Sequence, residues 1–238
     1  MKDLDLEGRH VVVTGGAGAL GHAVVKRLLA LGAVCHVPCV DRAELERFDL
    51  ADRLRVEATA PVDLGDPRQV NAYYEALDEL WASIHCAGGF SMADISAIED
   101  DDFRRMMRLN AETAFWCCRA AVRAMRATDP AAGGRIVNVA ARVALEPREG
   151  AGKTAYAMSK AAVAALTQGL AEELADDAVW INAVAPSILD TPANRDAMPD
   201  ADHTRWPTTA EVAETIVFLA SPLNRSTRGG VLPVYGKS

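Results

Sequence analysis

The chain has 238 residues, half of them hydrophobic and 24% charged, with a formal net charge of −8. That length supports one sizeable domain with a real core, spanning residues 1–238, and leaves little for a second. The acidic balance works against nucleic acid and anionic membrane, both of which need a basic face.

No apolar run approaches the length of a membrane span. The start, Met1-Lys2-Asp3-Leu4-Asp5-Leu6-Glu7, alternates acidic and apolar residues and lacks the basic and apolar regions of a signal peptide. A cytoplasmic address is therefore expected. Five cysteines without framework spacing read as reduced, buried thiols. Cys35, His36 and Cys39 sit in a strand-like apolar run, and no second ligand pair follows at finger spacing, so no metal is assigned.

Along the chain, short β-branched runs alternate with longer amphipathic stretches. Strands are predicted at His10–Val13, Val34–Val37, Arg55–Ala58, Ala82–His85, Arg135–Val139, Trp180–Val184 and Val231–Val234. Helices are predicted at Gly21–Leu31, Pro67–Leu77, Asp102–Ala127, Thr154–Leu174 and Thr209–Leu219. This alternation implies an α/β, doubly wound parallel sheet of about seven strands with helices on both faces. Residues 186–207 are irregular and Pro-rich, and read as a substrate loop before the last helix. Chemistry is expected beyond the carboxyl ends of the strands, where such sheets bind ligands.

The stretch Val11-Val12-Val13-Thr14-Gly15-Gly16-Ala17-Gly18-Ala19-Leu20-Gly21 reads as a strand, a glycine-rich turn and a helix start. Glycine permits the tight turn and the close backbone approach to a pyrophosphate, whose charge a helix N-terminus favours. A ligand-free β-α turn would use the same residues.

This stretch resembles the Thr-Gly-x-x-x-Gly-x-Gly turn of the short-chain dehydrogenases/reductases, a family built on the Rossmann fold. Ala19 stands where the middle glycine falls, and Gly18 is expected to give the turn its freedom. The resemblance continues in order. Val62-Asp63-Leu64 matches the segment that contacts adenine, and Ala87-Gly88 ends the fourth-strand motif, with His85-Cys86 replacing its two asparagines. Asn110 matches the catalytic asparagine, and Asn182-Ala183-Val184-Ala185-Pro186 matches the segment after the sixth strand. The resemblance thus implies an NAD(P)-dependent oxidoreductase acting on a small molecule. Gly15, Gly18, Ala19, Leu20, Gly21, Asp63, Leu64, Ala87, Gly88, Lys160, Pro186 and Ile188 are its expected cofactor contacts.

Tyr156 and Lys160 are four residues apart in a helical pattern and so share a face. A phenol titrates near 10, and a neighbouring ammonium draws that value down towards working pH. The resemblance gives Tyr156 the proton transfer, Lys160 the ribose and the phenol, and Asn110 support of the lysine. Cys39 occupies the position of the acidic ribose ligand, with Asp41-Arg42 just beyond. Asp41 suits NAD and Arg42 the extra phosphate of NADP; the reading leans to NAD.

The family's catalytic serine is missing: Ala140-Ala141 stand in its place. One alternative is a catalytically silent nucleotide-binding protein. Another is a carbonyl or 3-oxoacyl reductase working without the serine. The reading preferred here is an acceptor that does not need it. The glycine turn, the serine-less Ala140-Ala141 and the Leu189–Pro199 run with Trp206 resemble the dihydropteridine reductase branch, which reduces a conjugated imine. Apolar residues on two helices, among them Ala111, Phe115, Ala161, Ala165 and Leu166, further suggest a homodimer or homotetramer.

Overall fold

The computed structural model describes residues 4–128 and 133–238; residues 1–3, on which part of the signal-peptide reading rests, lie outside the described residues. The strands are β1 His10–Thr14, β2 Val34–Pro38, β3 Val56–Thr59, β4 Ala82–His85, β5 Gly134–Val139, β6 Val179–Pro186 and β7 Val231–Val234. They form one wholly parallel sheet in the order β3-β2-β1-β4-β5-β6-β7. The order reverses between β1 and β4, and the crevice beyond their carboxyl ends is where such a sheet receives a ligand.

The helices are α1 Ala19–Ala30, α2 Arg42–Arg47, α3 Pro67–Glu75, α4 Asp100–Met106, α5 Thr113–Thr128, α6 Arg142–Leu145, α7 Thr154–Glu173, α8 Pro192–Ala197 and α9 Thr209–Ala220. Val11 and Val13 of β1 pack with α1 and α9 on one face, while Val12 turns to α3, α5 and α7 on the other. All three are fully buried, each contributing roughly 1.5–3 kcal/mol of transfer free energy. Strands buried on both faces read as continuous apolar runs, and β1 is one. Among the described residues, no helix is long and apolar enough to cross a membrane.

The structure corrects several boundaries. Arg55 has a left-handed φ of 69°, which no strand residue adopts, so β3 begins at Val56. The predicted helix Asp102–Ala127 starts two residues earlier and is interrupted by a π-helical segment, Met107–Glu112. The 186–207 segment is more regular than read. Thr191 caps α8 by accepting the Asn194 N–H at 3.2 Å, with Pro192 at the first helical position.

Candidate functional site

The glycine turn closes off β1 and opens α1. Gly15 has φ +64°, and a Cβ there would stand 2.7 Å from the Ala87 nitrogen. Glycine is thus required twice over, for the left-handed backbone and for contact with the β4 loop. Gly18, expected to supply that freedom, instead has φ −80°, open to any residue, and serves as the N-cap of α1. Ala19 and Leu20 begin the helix; the Leu20 side chain turns into the core, and Gly21 packs against the Gly15 backbone. The Thr14 hydroxyl accepts the Ala87 N–H at 3.1 Å, tying β1 to the end of β4.

Beyond this turn runs a groove of about 280 Å³, lined among others by Gly15, Gly18, Ala87 and Gly88. Val62, Asp63, Leu64 and Gly65 line it as well. The Asp63 carboxylate accepts the Gly65 N–H at 2.8 Å and pairs with the Arg108 guanidinium at 2.5 Å. Pro38, Val40 and Glu44 line the same groove.

Asp41, the expected ribose ligand, is not among the groove residues. Its carboxylate caps α2 by accepting the Glu44 N–H at 2.7 Å, the ordinary use of an aspartate at a helix start. Arg42 pairs with Glu46 at 2.9 Å and is 89% exposed. Sequence reasoning missed Glu44, Arg108 and Cys86. The spacing Asp41-x-x-Glu44 was a usable signal, because a glutamate three residues after an N-cap reaches back over the cap.

Lys160 stands on α7. Its Nζ donates to the Val139 carbonyl at 2.8 Å, and a Cβ added at Gly88 would lie 3.3 Å from it. Gly88 lines the groove, and its bareness lets Lys160 and Asn110 pack directly behind it, though neither is itself a lining residue. Asn110 sits in the π-helical segment, a feature frequent at functional sites. It bridges three groups: Oδ1 accepts the Gly89 N–H, and Nδ2 donates to the Gly89 carbonyl and the Ser159 hydroxyl, all at 3.0 Å. Burial lowers Lys160 to about 8, partly opposed by Cys86.

Tyr156 lies one turn earlier on the same helix, its ring edge-on to Phe90 at 4.9 Å. The expectation that the ammonium draws its pKa down does not hold here. Burial pushes the phenol up to about 12, because desolvation penalises the phenolate. Tyr156 is thus a neutral donor at neutral pH.

Ala140 and Ala141, in the serine position, are 2% and 7% exposed and bring only methyl groups. Arg142 follows, bound to Glu146 and Glu149 at 2.9 Å each and lying over the Tyr235 ring at 5.0 Å. Pro186 ends β6 buried, and Ile188 is 41% exposed just beyond it. A larger cavity of about 650 Å³ lies between Asp190–Glu211 and the C-terminal Gly236-Lys237, but it contains none of these groups.

The fold has known counterparts. The short chain dehydrogenase family matches residues 9–202. The chain is 31% identical to galactitol 2-dehydrogenase of Rhizobium johnstonii, over 96% of this chain and 94% of that protein. It is 30% identical to 2,3-dihydroxy-2,3-dihydro-p-cumate dehydrogenase of Pseudomonas putida, over 99% and 96%. Among solved structures, a blue fluorescent protein from a metagenomic library, in complex with NADPH, superposes with a TM-score of 0.86 at 30% identity, covering 98% of each chain.

Proposed function

This chain belongs to the short chain dehydrogenase family, and we propose that it reduces or oxidises a small substrate with Tyr156 as proton carrier and without a serine partner. It is an NAD(P)-dependent oxidoreductase by its relatives, which argues against the catalytically silent alternative. We read residues 1–238 as one cofactor-binding domain, with 186–207 as its substrate loop.

The groove suits a dinucleotide. Its lining includes the start of a helix at Gly18 and the carboxylates of Asp63 and Glu44, and the Lys160 ammonium lies behind Gly88. When bound, the nicotinamide supplies or takes the hydride. The protein's own part is the proton. Tyr156, held neutral by burial, donates it to the atom that gains charge. Lys160, charged below about 8, is the ammonium that would hold the ribose. Asn110 fixes the Gly89 backbone and Ser159, and so the wall against which the lysine stands. The observation that carries this reading is Lys160, packed against the groove residue Gly88 and borne by the helix that also bears Tyr156.

The substrate reading rests on Ala141. An alkoxide developing from a ketone calls for a hydroxyl donor, and losing one from a site built on it costs about 10²–10³ in rate. A conjugated imine, such as a quinonoid dihydropterin, spreads the charge over nitrogen atoms and does without it. The second reading, a carbonyl reductase lacking the serine, is favoured by the alcohol-oxidising names of the relatives. NADH and NADPH oxidation with a ketone, an imine and a quinonoid dihydropterin separates the two. If Ala141→Ser then gains up to ~10²-fold on the ketone, the second reading is right; no gain or a loss supports the first.

For association we propose pairing of two copies through α5 and α7. Phe115 is 44% exposed on α5, and Ala165 is exposed on α7.

A further inference from the structure

The end of the second strand carries a carboxylate from an unexpected place. Position 39, directly after β2, holds a buried cysteine. Asp41 is consumed in capping α2. Glu44, one turn into that helix, folds back over the cap, and its Oε2 accepts the Val40 N–H at 2.7 Å. The capping arrangement thus delivers the glutamate to the strand end. Burial is the main cause that raises the Cys39 thiol, and the charge of Glu44 adds to it more than that of Asp41.

Glu44 lines the groove that also holds Gly15, Gly18 and Asp63. It pairs with no cation among the described residues, and its Oε1 carries no hydrogen bond there. On its own helix, Arg42 is engaged with Glu46.

We propose that Glu44, rather than any residue of the strand end, binds the adenosine ribose hydroxyls and makes the enzyme select NAD over NADP. This rests on the oxidoreductase reading above and specifies its cofactor. The carboxylate is held at one oxygen by Val40 and offers the other to a vicinal diol, an acceptor for two O–H donors. A 2′-phosphate brings nearly two negative charges to the same place. The like charges repel, and the one arginine among the groove's lining residues, Arg108, is paired with Asp63.

Titration calorimetry with NAD and NADP, in their oxidised and reduced forms, tests this without a substrate. The wild-type protein is expected to bind the NAD pair tighter by on the order of 100-fold. E44Q keeps an oxygen for the Val40 N–H while removing the charge. It is expected to weaken NAD several-fold, strengthen NADP and shrink the ratio at least tenfold. D49N, the same change of charge outside the groove, should leave the ratio in place. Equal binding, a preference for NADP, or an unmoved ratio in E44Q overturns the assignment of Glu44 while leaving the oxidoreductase intact. Binding of neither cofactor overturns the enzymatic reading and this inference with it.

Discussion

Lys160 Nζ donates a 2.8 Å hydrogen bond to the carbonyl oxygen of Val139, the last residue of β5. The bond fixes α7 to the strand end that leads into Ala140 and Ala141. It also buries an ammonium, and burial lowers its pKa to about 8.

Cofactor binding should therefore depend on pH in a definite direction. Ribose contact favours the charged lysine, so affinity is expected to fall as pH rises through about 8, with a proton taken up on binding above it. Calorimetry in buffers of different ionisation enthalpy counts that proton. Lys160→Met should bind weakly and without this pH dependence, and a flat wild-type profile between about pH 7 and 9.5 would exclude the role.

A second dependence comes from His85, buried between the Ser83 hydroxyl and Asn138 Oδ1 at 2.8 Å each. Desolvation is the main cause that lowers its pKa to about 4. The unfolded chain binds a proton near 6.5 that the folded chain refuses. Stability is thus full above 6.5 and is lost as pH falls towards 4, by up to about 3 kcal/mol from this residue. Urea unfolding at pH 7.5 and 4.5 measures the loss, and His85→Asn should lose about 2–3 kcal/mol less. Equal losses in both proteins would show that His85 is not the group responsible.

Asn110 links the π-helical segment to Gly89 and Ser159. Asn110→Ala strands the N–H and the carbonyl of Gly89, at about 2–3 kcal/mol of stability. Turnover should drop further than stability explains, because the wall beside Lys160 loosens. A variant with wild-type turnover would refute the positioning role.

The pairing of α5 and α7 predicts a dimer or tetramer by light scattering. Phe115→Asp, on the exposed side of α5, should shift it towards monomer. A wild-type monomer at micromolar concentration would contradict it.

The parts legible in the sequence were those with a long or regular signal. Val11 to Val13 announce a strand buried on both faces, and the Tyr156–Lys160 spacing announces a shared helix face. Less visible was whatever depends on hydrogen-bond register. The π-helical segment differs from its neighbours by which carbonyl each N–H meets, and Met107–Glu112 carries no compositional mark of it. Helices α2 and α8, six residues each, are shorter than two helical turns and show no period. Glu44 was legible only through the Asp41-x-x-Glu44 cap spacing, because it is the cap that brings its carboxylate to the strand end. The phenol's raised pKa was missed because burial, unlike a neighbouring ammonium, is a property of the fold.

The central claim is that Tyr156 carries the proton and needs no serine to do so. Tyr156→Phe removes one oxygen from a ring already seated against Phe90, so folding and cofactor affinity should be kept. The direct measurement is single-turnover oxidation of bound reduced cofactor by the best acceptor found, in wild type and Tyr156→Phe, with affinity checked by calorimetry. Affinity should be unchanged and the rate lower by about 10²–10⁴-fold, the usual worth of a positioned proton donor. Full turnover by Tyr156→Phe on that acceptor would contradict it.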